Sequence, residues 1–356
     1  MLALVLVVVS PPAVSPSLRQ AGNDRAEMTP REELIEQGWT VFPGVVSPEH
    51  VEELNRVIND RVHAMDHYVR PDGKTHERHK GDHLHLAFNE KVSQRPMGGA
   101  GVSHSSLTRL VANPRSLAAL EAVGCADRKF WSGYVLSKPA GGPPLYWHND
   151  WQFWEDPVSA DPMPIMMFGM VYLCDTTPHN GCLRVVPRSH RRDGPVWDVI
   201  RGNNHLSAQR DADLEGDGIF TAPGVDVSMK AGDLLLGDSR ILHGTHGNDS
   251  DARRTCITLW YLSRFESLPE RIRAGFGNEW AGATGGLLLP GVDDEGVLER
   301  AGLIPRVDGA IGKSFPLRSG EPAVYPTEGA QDFLGSNLPT TFWADAGAAE
   351  AGSAKL

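Results

Sequence analysis

The sequence predicts a mainly β fold with flanking helices, a jelly roll of two sheets, and three observations predict it. Helical signals occupy the first third of the chain. From Phe130 onward, short extended stretches follow one another, punctuated by Gly141-Gly142-Pro143-Pro144, Asn180-Gly181, Ala231-Gly232 and Asn248-Asp249. Neither a G-x-G-x-x-G unit between strand and helix nor a P-loop occurs, which disfavours the nucleotide-binding α/β folds.

Taken in order, Thr29-Pro30-Arg31-Glu32-Glu33 opens a short helix to residue 37, with a threonine cap and proline in the first turn. Trp39 to Phe42 reads as a strand. Ser47-Pro48 starts a longer helix whose Val51, Leu54, Val57, Ile58, Val62 and Met65 repeat at amphipathic spacing, so one face must be buried. Residues 70–105 are polar and glycine-rich. Their His76, His79, His83 and His85 raise a rival zinc site, but no cysteine accompanies them and His83-Leu84-His85-Leu86 alternates like a half-solvated strand. Asn113-Pro114 begins a helix to Val123. The expected strands are Phe130–Lys138, Pro164–Cys174, Leu183–Val186, Val227–Met229, Asp233–Gly237, Ile241–Thr245 and Thr255–Ser263. Strands are expected to stop near residue 265, with Glu266–Gly275 helical.

Composition sets the class. The chain has 356 residues, 40% hydrophobic and 22% charged, as an ordinary globule does. A formal net charge of −11 argues against nucleic acid as a partner. No apolar run approaches the roughly 18–20 residues needed to cross a bilayer. Cys125, Cys174, Cys182 and Cys256 show no C-x-x-C pairing, and read as thiols of a reducing, cytoplasmic compartment. Leu2–Val9 has the length of a signal-peptide core, but no Lys or Arg precedes it.

Chemistry concentrates in Tyr146-Trp147-His148-Asn149-Asp150-Trp151. On an extended segment, residues two apart point the same way, so His148 and Asp150 can grip one cation together. A further imidazole comes from Leu242-His243-Gly244-Thr245-His246. His243 continues a strand, whereas His246-Gly247-Asn248 reads as turn, which favours His243. Two imidazoles and one carboxylate on one face is the ligand set of non-haem Fe(II) oxygenases. Trp147, Trp151, Phe153 and Trp154 crowd this strand, as cavity lining or as core.

Asn180-Gly181-Cys182-Leu183-Arg184-Val185-Val186-Pro187-Arg188-Ser189-His190 resembles the N-G-C-L-x-x-x-P-G-S-H segment of the phytanoyl-CoA dioxygenase family. Gly232-Asp233-Leu234-Leu235-Leu236, followed by Leu242-His243-Gly244-Thr245, is similar to that family's G-D-x-x-x-F and H-G-S segments. The pieces occur in family order over roughly residues 35–265. The resemblance implies a double-stranded β-helix and an oxygenase that uses Fe(II), 2-oxoglutarate and O2 on a small molecule. It implies hydroxylation, with release of succinate and CO2. His148, Asp150 and His243 fall on the family's iron ligands. Arg254 falls on the arginine for the far carboxylate of 2-oxoglutarate, Thr245 on a hydroxyl residue that helps it, and Tyr134 on a cosubstrate contact. Three positions depart from the pattern: Asn149 replaces a common Gln, Met170 a usual aromatic, and Arg188 the glycine of the turn. The competing class is a non-catalytic jelly roll that binds a small molecule or a partner, which has no need of the ligand set or of Arg254.

This reading divides the chain into four parts. Residues 1–27 are expected to lie outside the fold, disordered or preceding a start at Met28. Residues 28–265 hold the oxygenase jelly roll. Residues 266–345 form a C-terminal extension, whose segment 266–290 reads either as a lid hinged at Gly275, Gly277, Gly282, Gly285 and Gly286 around Trp280 or as a surface extension or subunit contact. Residues 346–356 form a disordered tail.

Overall fold

The computed structural model describes residues 28–66, 84–87, 100–101, 104–142, 144–151, 153–154, 156–194, 224–270, 272–274, 276, 296–305, 314–316 and 322–324. The expectations for residues 1–27, for His76, His79 and His83, for the lid glycines and for the tail lie outside them.

The helical side builds first. Helix α1 (Pro30–Gln37) starts on a capping box, in which the Thr29 side chain accepts from the Glu32 amide and the Glu32 carboxylate from the Thr29 amide. Strand β1 (Trp39–Phe42) leads to α2 (Pro48–Asp66). Strands β2 (Leu84–Ala87) and β3 (Ala100–Gly101) follow, then α3 (Ser105–Val111), which the sequence did not announce, and α4 (Pro114–Ala122), capped by Asn113.

The strands that follow are β4 (Lys129–Lys138), β5 (Leu145–His148), β6 (Met166–Tyr172), β7 (Leu183–Val185), β8 (Val225–Val227), β9 (Leu234–Asp238), β10 (His243–Thr245) and β11 (Arg254–Leu262). They form a seven-stranded sheet, β1-β9-β6-β11-β4-β2-β3, and a four-stranded sheet, β5-β10-β7-β8. Alternation decides what each face meets. On β11, Ile257, Leu259 and Tyr261 join the cluster formed with Leu54, Leu107, Leu110 and Leu120 of the helices. Cys256 points the other way, into a cluster that holds Phe168, Met170, Tyr172 and Leu235 of the large sheet and Leu183, Val185 and Val227 of the small one. Two facing sheets, antiparallel except for the β2–β3 pair, with helices behind the larger one make this a double-stranded β-helix.

Several boundaries differ from expectation. The strand read at Val227–Met229 is β8, Val225–Val227, because Met229 leaves the ladder to exchange bonds with Thr176, whose hydroxyl accepts from its amide at 3.0 Å. The strand read from Ile241 begins at His243, since Ile241 closes a turn on the Asp238 carbonyl and the Leu242 amide donates to the Ser189 hydroxyl. A 3-10 turn, Phe265–Ser267, replaces the start of the helix expected from Glu266, and helical residues begin only at Glu270. Pro269 disfavours helical backbone at Leu268. Nor do strands stop near 265: β12 (Ser314–Pro316) and β13 (Pro322–Val324) pair with each other, and between them and the barrel a short α5 (Val297–Arg300) puts Leu298 into the helix-side core.

Arg188, in place of the turn glycine, has φ +63°, the left-handed region that costs a side-chain-bearing residue about 1–2 kcal/mol. Its guanidinium is bound to Glu36 and, at 3.1 Å, to Asp193, which offsets part of that strain.

A buried ion pair braces the fold beside the future site. Arg240 is 2% exposed and donates to both carboxylate oxygens of Asp238 and to the carbonyls of Ser159, Asp161 and Met163. Burial alone would raise the Asp238 pKa, but the Arg240 charge and hydrogen bonds outweigh it and hold the carboxyl below its usual range. A depressed pKa means that the ionised group stabilises the fold above the unfolded value of about 4. That contribution is lost as pH falls through the lower folded value. Chemical denaturation between pH 7 and 3 is therefore expected to show a steeper acid loss in the wild type than in Asp238→Asn. Arg240→Met, which leaves a buried carboxylate alone, is expected to cost about 3–5 kcal/mol at pH 7.

Candidate active site

Register brings the two imidazoles together. Strand β10 lies between β5 and β7, with His243 directly opposite His148 and Val185. Opposed residues of an antiparallel pair share a face, and the two rings stand 4.2 Å apart. Phe168 covers the far side of His243 at 4.7 Å between centroids. The ring of Phe168 needs Gly237, where any Cβ would meet it at 2.3 Å.

Asp150 arrives by another route than the one the spacing suggested. The β5 ladder ends at His148, and the amides of Asp150 and Trp151 both donate to the Ser239 carbonyl, at 2.8 and 3.0 Å. A turn pinned to the end of β9, not the pleat, aims the carboxylate. One oxygen lies 3.7 Å from His148 Nε2, and the other 3.9 Å from His243 Nε2. The second oxygen also accepts from the Trp260 indole N–H at 2.8 Å.

These three donors lie within 4.8 Å of one another, and the set fits a divalent metal. His243 Nδ1 donates to the Ile241 carbonyl at 3.1 Å, which leaves Nε2 as the free lone pair. Burial, then the neighbouring His148, pushes the His243 pKa down to about 4, so its ring is neutral as a ligand must be.

The first residue of β11 is a buried cation. Arg254 is 3% exposed. It donates to the Cys256 thiol at 3.3 Å and lies 5.7 Å from the Tyr172 ring centroid, while its Nε has no hydrogen-bond partner. Among the described residues it forms no ion pair. A buried, uncompensated guanidinium is costly, and a bidentate carboxylate ligand would satisfy it. Arg253, next to it, turns away and reaches the Ser137 carbonyl at 3.4 Å.

The remaining expected residues sit around this pair of features. Thr245 accepts a hydrogen bond from Lys138 Nζ at 2.8 Å, and the same ammonium donates to the His246 carbonyl. Tyr134 packs edge-on against Trp260, with centroids 5.6 Å apart. His246 is turned elsewhere, its Nε2 bound to Asp226 at 2.6 Å. Asn149 accepts from the Trp154 indole at 3.1 Å, and Met170 is buried between the sheets. Trp147, Trp151, Phe153 and Trp154 are all buried in one cluster with Trp131, Phe265 and Phe276, which is core packing behind the site.

Sequence reasoning missed Trp260, Lys138 and Ser239. The first had a signal: Trp260 follows Arg254 at even spacing on one strand, so alternation turns both inward. Lys138 pairs with Arg254 across β4 and β11, a register that no sequence spacing displays.

The chain is similar to known proteins. The phytanoyl-CoA dioxygenase (PhyH) family model matches residues 34–256. The ectoine dioxygenase of Nocardia farcinica is 25% identical over 252 residues, 67% of this chain and 78% of that protein. The phytanoyl-CoA dioxygenase of Arabidopsis thaliana is 30% identical over 129 residues, 36% of this chain and less than half, 42%, of its own length. Among solved structures, EctD from S. alaskensis with bound Fe superimposes with a TM-score of 0.44 at 21% identity, over 65% of this chain and 75% of that one. With the family model spanning well over half of its length, the chain belongs to the phytanoyl-CoA dioxygenase family of iron- and 2-oxoglutarate-dependent dioxygenases.

Proposed function

We propose that this dioxygenase hydroxylates a small molecule, with His148, Asp150 and His243 as the ligands of Fe(II) and Arg254 as the anchor of 2-oxoglutarate. The observation that carries the reading is the occurrence of a two-imidazole, one-carboxylate cluster together with a buried guanidinium that forms no ion pair among the described residues. A binding module would gain nothing from either. When bound, Fe(II) would supply the redox chemistry by which substrate, dioxygen and 2-oxoglutarate become hydroxylated product, succinate and CO2.

The chain's own part is orientation and exclusion of water. Trp260 holds one Asp150 oxygen, which fixes the carboxylate plane. Lys138 carries only donors, so the Thr245 oxygen must accept from it, and the Thr245 hydrogen is left to donate. Thr245 would thus be free to help Arg254 hold the far carboxylate of 2-oxoglutarate, with Tyr134 as a further contact. The buried aromatic cluster keeps bulk water from the metal side. A small-molecule substrate is in keeping with the ectoine dioxygenases among the relatives. The four free cysteines are in keeping with a cytoplasmic setting. No helix among the described residues is long and apolar enough to cross a membrane.

Asp150 supplies a carboxylate at the position where a halogenating site would leave room for chloride, so oxygen rather than chlorine is the atom transferred. Turnover under labelled dioxygen, with the substrate identified by succinate release from metabolite pools, is expected to put one labelled atom in the product and one in succinate. A product without label, or a chlorinated product at high chloride, excludes hydroxylation.

A further inference from the structure

We propose that Cys182, Asp226 and His246 form a second divalent-cation site, selective for zinc-class ions, at the edge of the four-stranded sheet. The three side chains come from separate stretches: Cys182 immediately before β7, Asp226 within β8 and His246 immediately after β10. Their thiol, carboxylate and imidazole donor atoms all lie within 4.8 Å of one another. Two hydrogen bonds hold the frame: the His246 amide donates to the Cys182 carbonyl at 3.1 Å, and the Lys138 side-chain ammonium donates to the His246 carbonyl.

The donor chemistry separates this trio from the first. His148, Asp150 and His243 offer nitrogen and oxygen only, the set that suits Fe(II). A thiolate beside an imidazole is borderline-soft and selects Zn2+ or its analogues Co2+ and Cd2+. Bonds of about 2.0–2.3 Å from one tetrahedral ion to three such donors need only a small closure of the trio. The His246–Asp226 hydrogen bond, now 2.6 Å, would open to admit the ion in place of the shared proton. Asp226 is exposed and His246 half-buried, which leaves a route in from solvent and room for a water as fourth ligand. Arg184 comes within 3.9 Å of Asp226, but its guanidinium stays over the Trp147 ring at 4.7 Å.

Proton balance is explicit. Burial, then the charge of Asp226, pushes the Cys182 thiol up to about 11, so the ion must displace the thiol proton as it binds, together with any proton on His246. Affinity therefore rises with pH. An ion there would tie the ends of β7, β8 and β10 together one residue beyond Thr245.

The test uses the full chain, loaded anaerobically with Fe(II) and titrated with Co(II). Sulfur-to-cobalt charge transfer in the near ultraviolet reports the second site alone, because the first has no sulfur. A band that saturates at one equivalent is expected, competed away by Zn2+ and lost in Cys182→Ser and in His246→Ala. Since Cys182 is buried, its replacement could unfold the chain, and His246→Ala at the half-exposed position then decides the matter. No band, or a band undiminished in folded His246→Ala, overturns the proposal. Either result leaves the iron reading untouched, because iron-dependent succinate release is measured separately.

Discussion

His148→Ala, Asp150→Asn and His243→Ala are each expected to abolish turnover while the far-ultraviolet spectrum and melting behaviour stay close to wild type. Each removes a donor from the cluster and little from either hydrophobic core. The loss should exceed the roughly 10–100-fold that removal of a ligand's outer hydrogen-bond partner costs. Trp260→Phe supplies that internal comparison, since it removes only the indole N–H that holds Asp150. Anaerobic Fe(II) binding in the presence of 2-oxoglutarate separates the two kinds of variant: the three ligand replacements should lose the complex, and Trp260→Phe should weaken it. An inactive His246→Ala beside an active His243→Ala would reverse the assignment of the third ligand.

What the sequence disclosed follows from periodicity and its limits. Strands β4, β6 and β11 were legible as long extended runs between turn residues, and their two faces divide between the helix side and the barrel interior. That His148, Asp150 and His243 come together was also legible, though partly for the wrong physical reason. His148 does sit at the end of a strand, but Asp150 lies past it and is aimed by the Ser239 carbonyl. That contact joins residues far apart in the chain, and no local pattern encodes it. The same is true of Lys138, which depends on cross-strand register, and of the Cys182, Asp226 and His246 trio, which three separate strand ends assemble. Short elements fared worst. Strands β8, β10, β12 and β13 have three residues each, too few for a period of two to be read, so their limits were set by single side-chain bonds such as Ser189 to Leu242. The aromatic run around Trp151 was ambiguous because burial in a core and exposure to a cavity select the same residues.

Arg254→Leu is expected to raise the 2-oxoglutarate requirement far more than Arg253→Leu. Removing a charged, bidentate partner from a closed site costs about 2–5 kcal/mol, or roughly 30- to several-thousand-fold in affinity at about 1.4 kcal/mol per tenfold. Arg253 is half-buried and reaches back to Ser137 at 3.4 and 3.5 Å, so its loss should leave the 2-oxoglutarate requirement nearly unchanged. Stability supplies a second and independent reading. In the chain without cosubstrate, Arg254 is a buried charge whose side chain, among the described residues, donates to a thiol and whose Nε has no hydrogen-bond partner there. Replacing such a group by an apolar side chain of similar volume is neutral or stabilising, because the desolvation penalty disappears with the charge. The melting temperature of the cosubstrate-free variant should therefore equal or exceed that of wild type. Adding metal and 2-oxoglutarate reverses the order: ligand that binds only the folded state stabilises it by mass action, and the variant should forgo most of that gain. A structural arginine would behave in the opposite way, lowering the melting temperature without ligand and leaving the increment on ligand addition unchanged. Equal, small effects of both arginines on the 2-oxoglutarate requirement would show that the carboxylate is held elsewhere.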